Sequence, residues 1–168
     1  MWRRRGFTLA ELAVVVGILA LVFATALPHF IKMYMVGNEE ATIEGMRAVL
    51  LSCEGYQANT QSGYPVSLGQ LVNARPPYLD ARFNQVAGRG GWKGYRWFYR
   101  GIPSQFTVPT ALGMGTYRTA GSLILTADPM VRGLTGQRSF YADQTGEIRF
   151  NTQGLAGPKD QVLEQAEK

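Results

Sequence analysis

Apolar residues fill the chain from Phe7 to Ile31 almost without a break. Glu11 is the one formally charged side chain there, and nothing from Leu12 to Leu27 is more polar than Thr25. At about 1.5 Å per residue, the helix Phe7 to Leu27 would measure roughly 30 Å, the thickness of a bilayer's hydrocarbon core. Beyond Pro28 the pattern becomes periodic. Ile43, Met46, Leu50 and Cys53, with Val49 and Tyr56 beside them, form a helical stripe, while Glu39, Glu40, Glu44, Arg47 and Glu54 fall mostly off it. One helix from Phe7 to about Ala58 is expected, roughly 78 Å long, membrane-spanning over residues 7–31 and amphipathic over 32–60. Pro28 removes a backbone donor and crowds the preceding turn. It predicts a kink or local unwinding, or else the end of one helix and the start of another. Gly37 and Gly45 soften the rod further.

Past residue 60 the period shortens to two. The segment SGYPVSLGQLVNA opens on turn residues, and Ser67-Leu68-Gly69-Gln70 reads as a capping box for a short helix that Arg75-Pro76-Pro77-Tyr78-Leu79 ends. Tyr95, Trp97 and Tyr99 alternate with Arg96, Phe98 and Arg100, as in a strand with one aromatic face. GSLILTADP supplies a second strand ending at Asp128-Pro129. Phe140 to Ala142, a turn from Asp143 to Gly146, and Ile148 to Phe150 form a hairpin. Residues 103–119 read as a long connection without a motif. The predicted fold is α+β: three or four antiparallel strands within residues 61–154 cover the apolar stripe of the helix. A polar tail from Leu155 to Lys168 is expected as a frayed end or short helix.

Composition narrows this picture only a little. With 168 residues, 46% hydrophobic and 17% charged, the chain holds one membrane or targeting segment and one modest domain. The net charge of +5 owes much to Arg3, Arg4 and Arg5; the remainder carries 14 basic against 12 acidic residues and signals no partner by itself. Basic residues before the apolar run and none within it place the N-terminus in the cytoplasm and the rest outside. A single cysteine, Cys53, excludes an intramolecular disulfide and a cysteine-based metal cluster. The single histidine, His29, adjoins Pro28, which excludes a histidine-based triad or zinc site in the exported part.

Two other readings of the apolar run remain. Ala24-Thr25-Ala26 has the small-x-small form of a signal-peptide cleavage site, and Arg4-Arg5-Gly6-Phe7-Thr8-Leu9 faintly matches a twin-arginine signal. Either would discard the run and leave an exported enzyme or binding protein. Against them stand the carboxylate near the start of the run and its continuation into more helix.

Gly6-Phe7-Thr8-Leu9-Ala10-Glu11-Leu12, after the basic leader of residues 1–6, resembles the processing site of type IV prepilins and type II secretion pseudopilins. The resemblance covers the N-terminal third. It implies cleavage between Gly6 and Phe7 by a membrane-embedded prepilin peptidase, N-methylation of Phe7, and a Glu11 that becomes the fifth residue of the product. Pro28 matches a position where many members carry a helix-disrupting proline. The order of long helix, loop and small antiparallel sheet is also pilin-like. The implied protein is a structural filament subunit rather than an enzyme. It is held in the inner membrane until an assembly platform passes it into a periplasmic or cell-surface filament. Glu11 can set register there, because a carboxylate entering an apolar bundle out of step lacks the amine of its neighbour.

Two departures from the family accompany the match. The lone Cys53 cannot close the C-terminal disulfide of many pilins. The calcium bound by major pseudopilins would here fall to Asp128, Asp143 and Glu147, whose spacing matches no recognised loop; a hydrated hairpin turn is the competing reading, and no cofactor is required. The basic aromatic stretch from Trp92 to Arg100 admits nucleic-acid binding through Arg96 and Arg100, as in a DNA-binding minor pilin. A half-buried strand accounts for the same alternation. Cys53, on the apolar stripe, reads as core rather than nucleophile.

Overall fold

Helix α1 runs from Leu9 to Thr60 as 52 consecutive helical residues in a computed structural model that describes residues 8–60, 63–86, 91–110 and 113–163. The leader of residues 1–6, with Phe7, lies outside the described residues. Pro28 sits inside α1 with helical residues on both sides, so neither the local unwinding nor the split into two helices is found. One proline forfeits one ladder bond, and the helix-forming runs on either side keep nucleation from having to occur twice.

Six antiparallel strands follow, each paired with its sequence neighbour: β1 Gly91–Trp92, β2 Tyr95–Thr110, β3 Gly113–Pro129, β4 Ser139–Asp143, β5 Ile148–Asn151 and β6 Gln161–Val162. This α+β, pilin-like arrangement is the expected one, with more strands than the sequence pattern gave. The long connection expected over residues 103–119 is instead a ribbon, in which β2 and β3 stay paired out to Thr110 opposite Gly113. Strand formers such as Phe106, Val108 and Tyr117 are present, but Pro103, Pro109 and two glycines obscure them. A register shift between Ile102 and Pro103 marks where the ribbon leaves the packed sheet. The tail from Leu155 is corrected too: β6 pairs with β5 through Val162 and Arg149, and Leu163 enters the core.

The core lies between the second half of α1 and one face of the sheet. Met46, Val49 and Cys53 are wholly buried against Tyr95, Trp97, Leu125 and Phe140, while Arg96, Phe98 and Arg100 face outward. Beside this core sits helix α2, Leu68–Val72, with Ser67 at its N-cap. The predicted capping box forms in altered shape: Ser67 makes no side-chain cap bond, and Gln70 Oε1 accepts from the Val66 amide at 2.7 Å. A 3₁₀ turn, Ala81–Gln85, brings Phe83 onto Trp92 and Trp97.

Gly45 has a definite role rather than a softening one. A Cβ there would lie 2.6 Å from the Trp92 ring and 2.9 Å from the Trp97 ring, so its absence lets two indoles rest directly on α1. At Gly37 nothing comes within 4 Å.

Strand direction fixes which end of the head faces the exposed helix. Tyr95, at the start of β2, lies near the helix level of Glu39, whose carboxylate meets residues 137 and 138. Tyr99, further along β2, meets Cys53. The start of β2, the end of β3 and the loop after β3 therefore lie at the end of the head nearest the apolar half of α1.

Candidate functional site

The first turn of α1 is closed by two side chains. Thr8 stands at the N-cap, its carbonyl accepting from Leu12 N–H at 3.1 Å. Glu11 Oε2 accepts from the Thr8 amide and hydroxyl, both at 2.9 Å, and the Glu11 amide donates to Thr8 Oγ1 at 3.2 Å. This is a reciprocal capping box. It was visible in the sequence as Thr8-Leu9-Ala10-Glu11, yet periodicity directed attention to the charge of Glu11 and away from its spacing to Thr8. A carboxylate in the first turn also meets the positive end of the helix dipole. Glu11 is thus held in one orientation at the head of the apolar run.

From Leu9 to Val36 almost every side chain of α1 is exposed. The helix is long and apolar enough to cross a membrane, and its most apolar window has none of its residues buried. Leu19, Leu21 and Phe23 stand open to the surroundings. Exposed apolar surface on this scale marks contact with lipid or with other protein chains. Gly6 and Phe7, the expected cleavage and methylation positions, lie outside the described residues.

Below the core, α1 grips the loop between β3 and β4 with polar groups. Glu39, expected off the buried stripe, is 6% exposed. Its Oε1 accepts from the Gln137 amide at 2.6 Å and the Arg138 amide at 3.1 Å, and its Oε2 accepts from Arg138 Nε at 2.7 Å. The guanidinium of Arg138 lies over the rings of Phe140 and Phe150, which suits a cation to an apolar setting. Asn38 Nδ2 donates to the Thr135 carbonyl at 3.0 Å. Acidic residues on an amphipathic helix normally read as solvated. The available signal was the position of Glu39, four residues before Ile43 and seven before Met46, on the same stripe.

The remaining predicted site residues do not converge. Asp143 lies opposite Ile124, four residues along β3 from Asp128, a separation of roughly 13 Å in an extended strand. Asp143 Oδ1 caps its own turn by accepting from the amide and hydroxyl of Thr145, and Glu147 pairs with Arg149. Burial pushes the Asp128 carboxyl above its ordinary range, opposed by Ser139, Arg132 and Arg96. Among the described residues no three acidic, cysteine or histidine side chains come together as a metal-binding group. Arg96 and Arg100 are exposed with Phe98 between them, while Tyr95 and Trp97 are buried on the other face and closed to bases. Cys53 is wholly buried, and loss of solvation pushes its thiol up to about 11. A protonated, enclosed thiol is a poor nucleophile, in keeping with a core position.

The prokaryotic N-terminal methylation motif, characteristic of type IV prepilins and pseudopilins, matches residues 3–27. The match takes in the basic leader, Gly6, Phe7, the Thr8–Glu11 cap and the apolar run up to Leu27. No curated protein and no solved structure matches the chain.

Proposed function

We propose that this chain is a structural subunit of a type IV pilus or type II secretion pseudopilus, cut by prepilin peptidase between Gly6 and Phe7, N-methylated at Phe7, and polymerised through α1. The observation that carries this reading is an uncovered apolar half-helix, headed by a fixed carboxylate, lying within the matched motif. A signal peptide discarded at Ala26 would take most of that half-helix with it.

The chemistry of assembly follows from the two charges that cleavage leaves at the top of the helix. Moving an apolar helix from lipid into a bundle of like helices exchanges one apolar contact for another, so area alone gives little direction. An ionised carboxylate differs, because isolation in an apolar bundle costs several kcal/mol or more. Among the described residues Glu11 Oε2 is engaged by Thr8; Oε1 then takes the α-amine of a neighbour's Phe7. A subunit in step gains that pair, and one out of step leaves a buried charge alone. Pro28 lies in the same helix, where the missing amide leaves a weak point for bending as subunits pack. The chain would begin in the inner membrane, with its leader cytoplasmic and its head outside, before joining the filament.

Two variants test this in a cell carrying the processing and assembly machinery. Gly6→Leu places a bulky side chain in the protease cleft and is expected to accumulate uncut. Glu11→Ala is expected to be cut normally yet absent from sheared filaments. Normal incorporation of Glu11→Ala would refute the register argument.

A further inference from the structure

The loop that joins β3 to β4 carries three apolar side chains on its surface: Met130 at 48% exposure, Val131 at 51% and Leu134 at 47%. They belong to one turn, closed by Thr135 N–H to Val131 O at 2.9 Å and Leu134 N–H to Val131 O at 3.1 Å. Arg132, in the middle of that turn, does not project as a free cation. It folds back to donate to the carbonyls of Gln137 and Gly154, each at 2.9 Å, and to Ser139 Oγ at 2.9 Å. Its guanidinium is thereby turned toward Gln137, Ser139 and Gly154, while the residue itself stays exposed.

The position of this turn is set by α1. Thr135 is held by Asn38, and Gln137 and Arg138 by Glu39. Beside it lies the turn between β1 and β2, where Met130 N–H donates to Gly94 O at 2.9 Å and a Cβ on Gly94 would meet Thr135 at 2.8 Å and Asn38 at 3.2 Å. That second turn carries the exposed Lys93, and Lys32 is exposed on α1 below. With the charged Glu11 at the cytoplasmic interface, the stretch from Leu12 to Ile31 fills the roughly 30 Å hydrocarbon core, and Asn38 is seven residues beyond Ile31, or about 10 Å along the helix. A headgroup layer is roughly 5–8 Å deep on each side of the hydrocarbon core. A helix tilt of about 20°, the average for membrane spans, lowers a loop packed some 10 Å from the axis by about 3 Å. Met33, Tyr34 and Val36, all exposed on α1, bridge the interval, Tyr34 being of a type enriched at that depth.

We infer that the turn bearing Met130, Val131 and Leu134 is a membrane-contact surface, seated in the phospholipid headgroup layer of the bilayer that α1 crosses, with Lys93 and Lys32 facing lipid phosphates. The inference rests on the membrane-spanning reading of α1. It adds a second contact, which restrains rotation and tilt of the head before assembly. Lipid is the occupant because the patch continues from the apolar half of α1 and is flanked by cations. Apolar tips among lysines suit an interface better than the hydrocarbon interior.

The test uses the full chain in phosphatidylethanolamine and phosphatidylglycerol vesicles, with a cysteine introduced singly at Val131, Leu134, Leu19 or Gln144 and labelled with a polarity-sensitive fluorophore. Cys53 is enclosed and stays unlabelled in the folded chain, which a parallel reaction on the unsubstituted protein verifies. Labels at Val131→Cys and Leu134→Cys are expected to shift to the blue and lose emission to lipids carrying a nitroxide near the headgroup. The label at Gln144→Cys, in the turn at the far end of the sheet, should do neither. Met130→Ser with Leu134→Ser should restore emission at Val131→Cys. If Leu19→Cys is quenched by lipids carrying a nitroxide near the end of the acyl chain while the two loop labels remain in water, the inference is overturned and the membrane span stands. If Leu19→Cys is also unquenched, both fall. Protection of the loop labels that appears only as protein is crowded at fixed lipid would make the occupant a second copy and overturn the proposal.

Discussion

Glu11 and Glu39 are both acidic residues of α1 with fixed partners, and removing each is expected to act at a different level, local for Glu11 and on the whole head for Glu39. Among the described residues Glu11 bonds only to Thr8, so Glu11→Ala should leave the head folded, with loss of a cap worth about 1 kcal/mol of local helix stability. Glu39 joins α1 to a loop nearly a hundred residues away. Glu39→Ala strands the Arg138 guanidinium and two amides, and is expected to cost about 3 kcal/mol, the low end for a broken buried pair because Arg138 keeps some solvent access. Urea unfolding of the full chain in detergent, followed by tryptophan fluorescence, measures this difference. Cys53 gives a pH signature. Its thiol holds its proton more tightly in the folded chain, up to about 11, so the unfolded chain ionises first and stability falls as pH rises from about 9 to 11. Burial raises Tyr95 and Tyr99 as well, which carries the fall further. Thermal melts across that range should show a steeper decline for the natural chain than for Cys53→Ala. The position of Glu11 within the apolar run was plain from the sequence. The role of Glu39 was not, because its partners come from a loop whose closeness to α1 exists only after folding.

At the scale of elements, period decided what was legible. A 3.6-residue stripe located the buried face of α1, and strict alternation located the packed half of β2 with Tyr95 and Trp97 inward. Strands of two residues, β1 and β6, contain too little pattern to be seen; pairing with β2 and β5 makes them. The distal ribbon was hidden by prolines, which a two-stranded edge tolerates and a central strand does not. Gly45 is the element-scale test. Alanine would add about 1 kcal/mol of helix propensity, but a new Cβ at 2.6 Å from Trp92 forces overpacking that costs roughly 1–3 kcal/mol. Gly45→Ala is therefore expected to lower the melting temperature. Gly37→Ala, with nothing within 4 Å, should raise it or leave it unchanged. A higher melting temperature for Gly45→Ala would mean that the indoles do not sit on the helix as described.

The whole molecule is a folded head on one half of a helix whose other half has no cover. In the head the apolar stripe of α1 is closed by the sheet, and the lower edge is tied by Asn38 and Glu39. Nothing among the described residues does the same for Leu9 to Val36, and this imbalance supports a chain that passes from lipid into a helical bundle. The candidate site was legible because its information is local: a basic leader, a glycine, an aromatic and a spaced glutamate follow one another in sequence. Mass measurement of the N-terminal peptide of the protein purified from its producing cells tests this account most directly. The prediction is a chain beginning at Phe7 with one methyl group on its α-amine. A chain beginning at Leu27, with the apolar run removed, would contradict it.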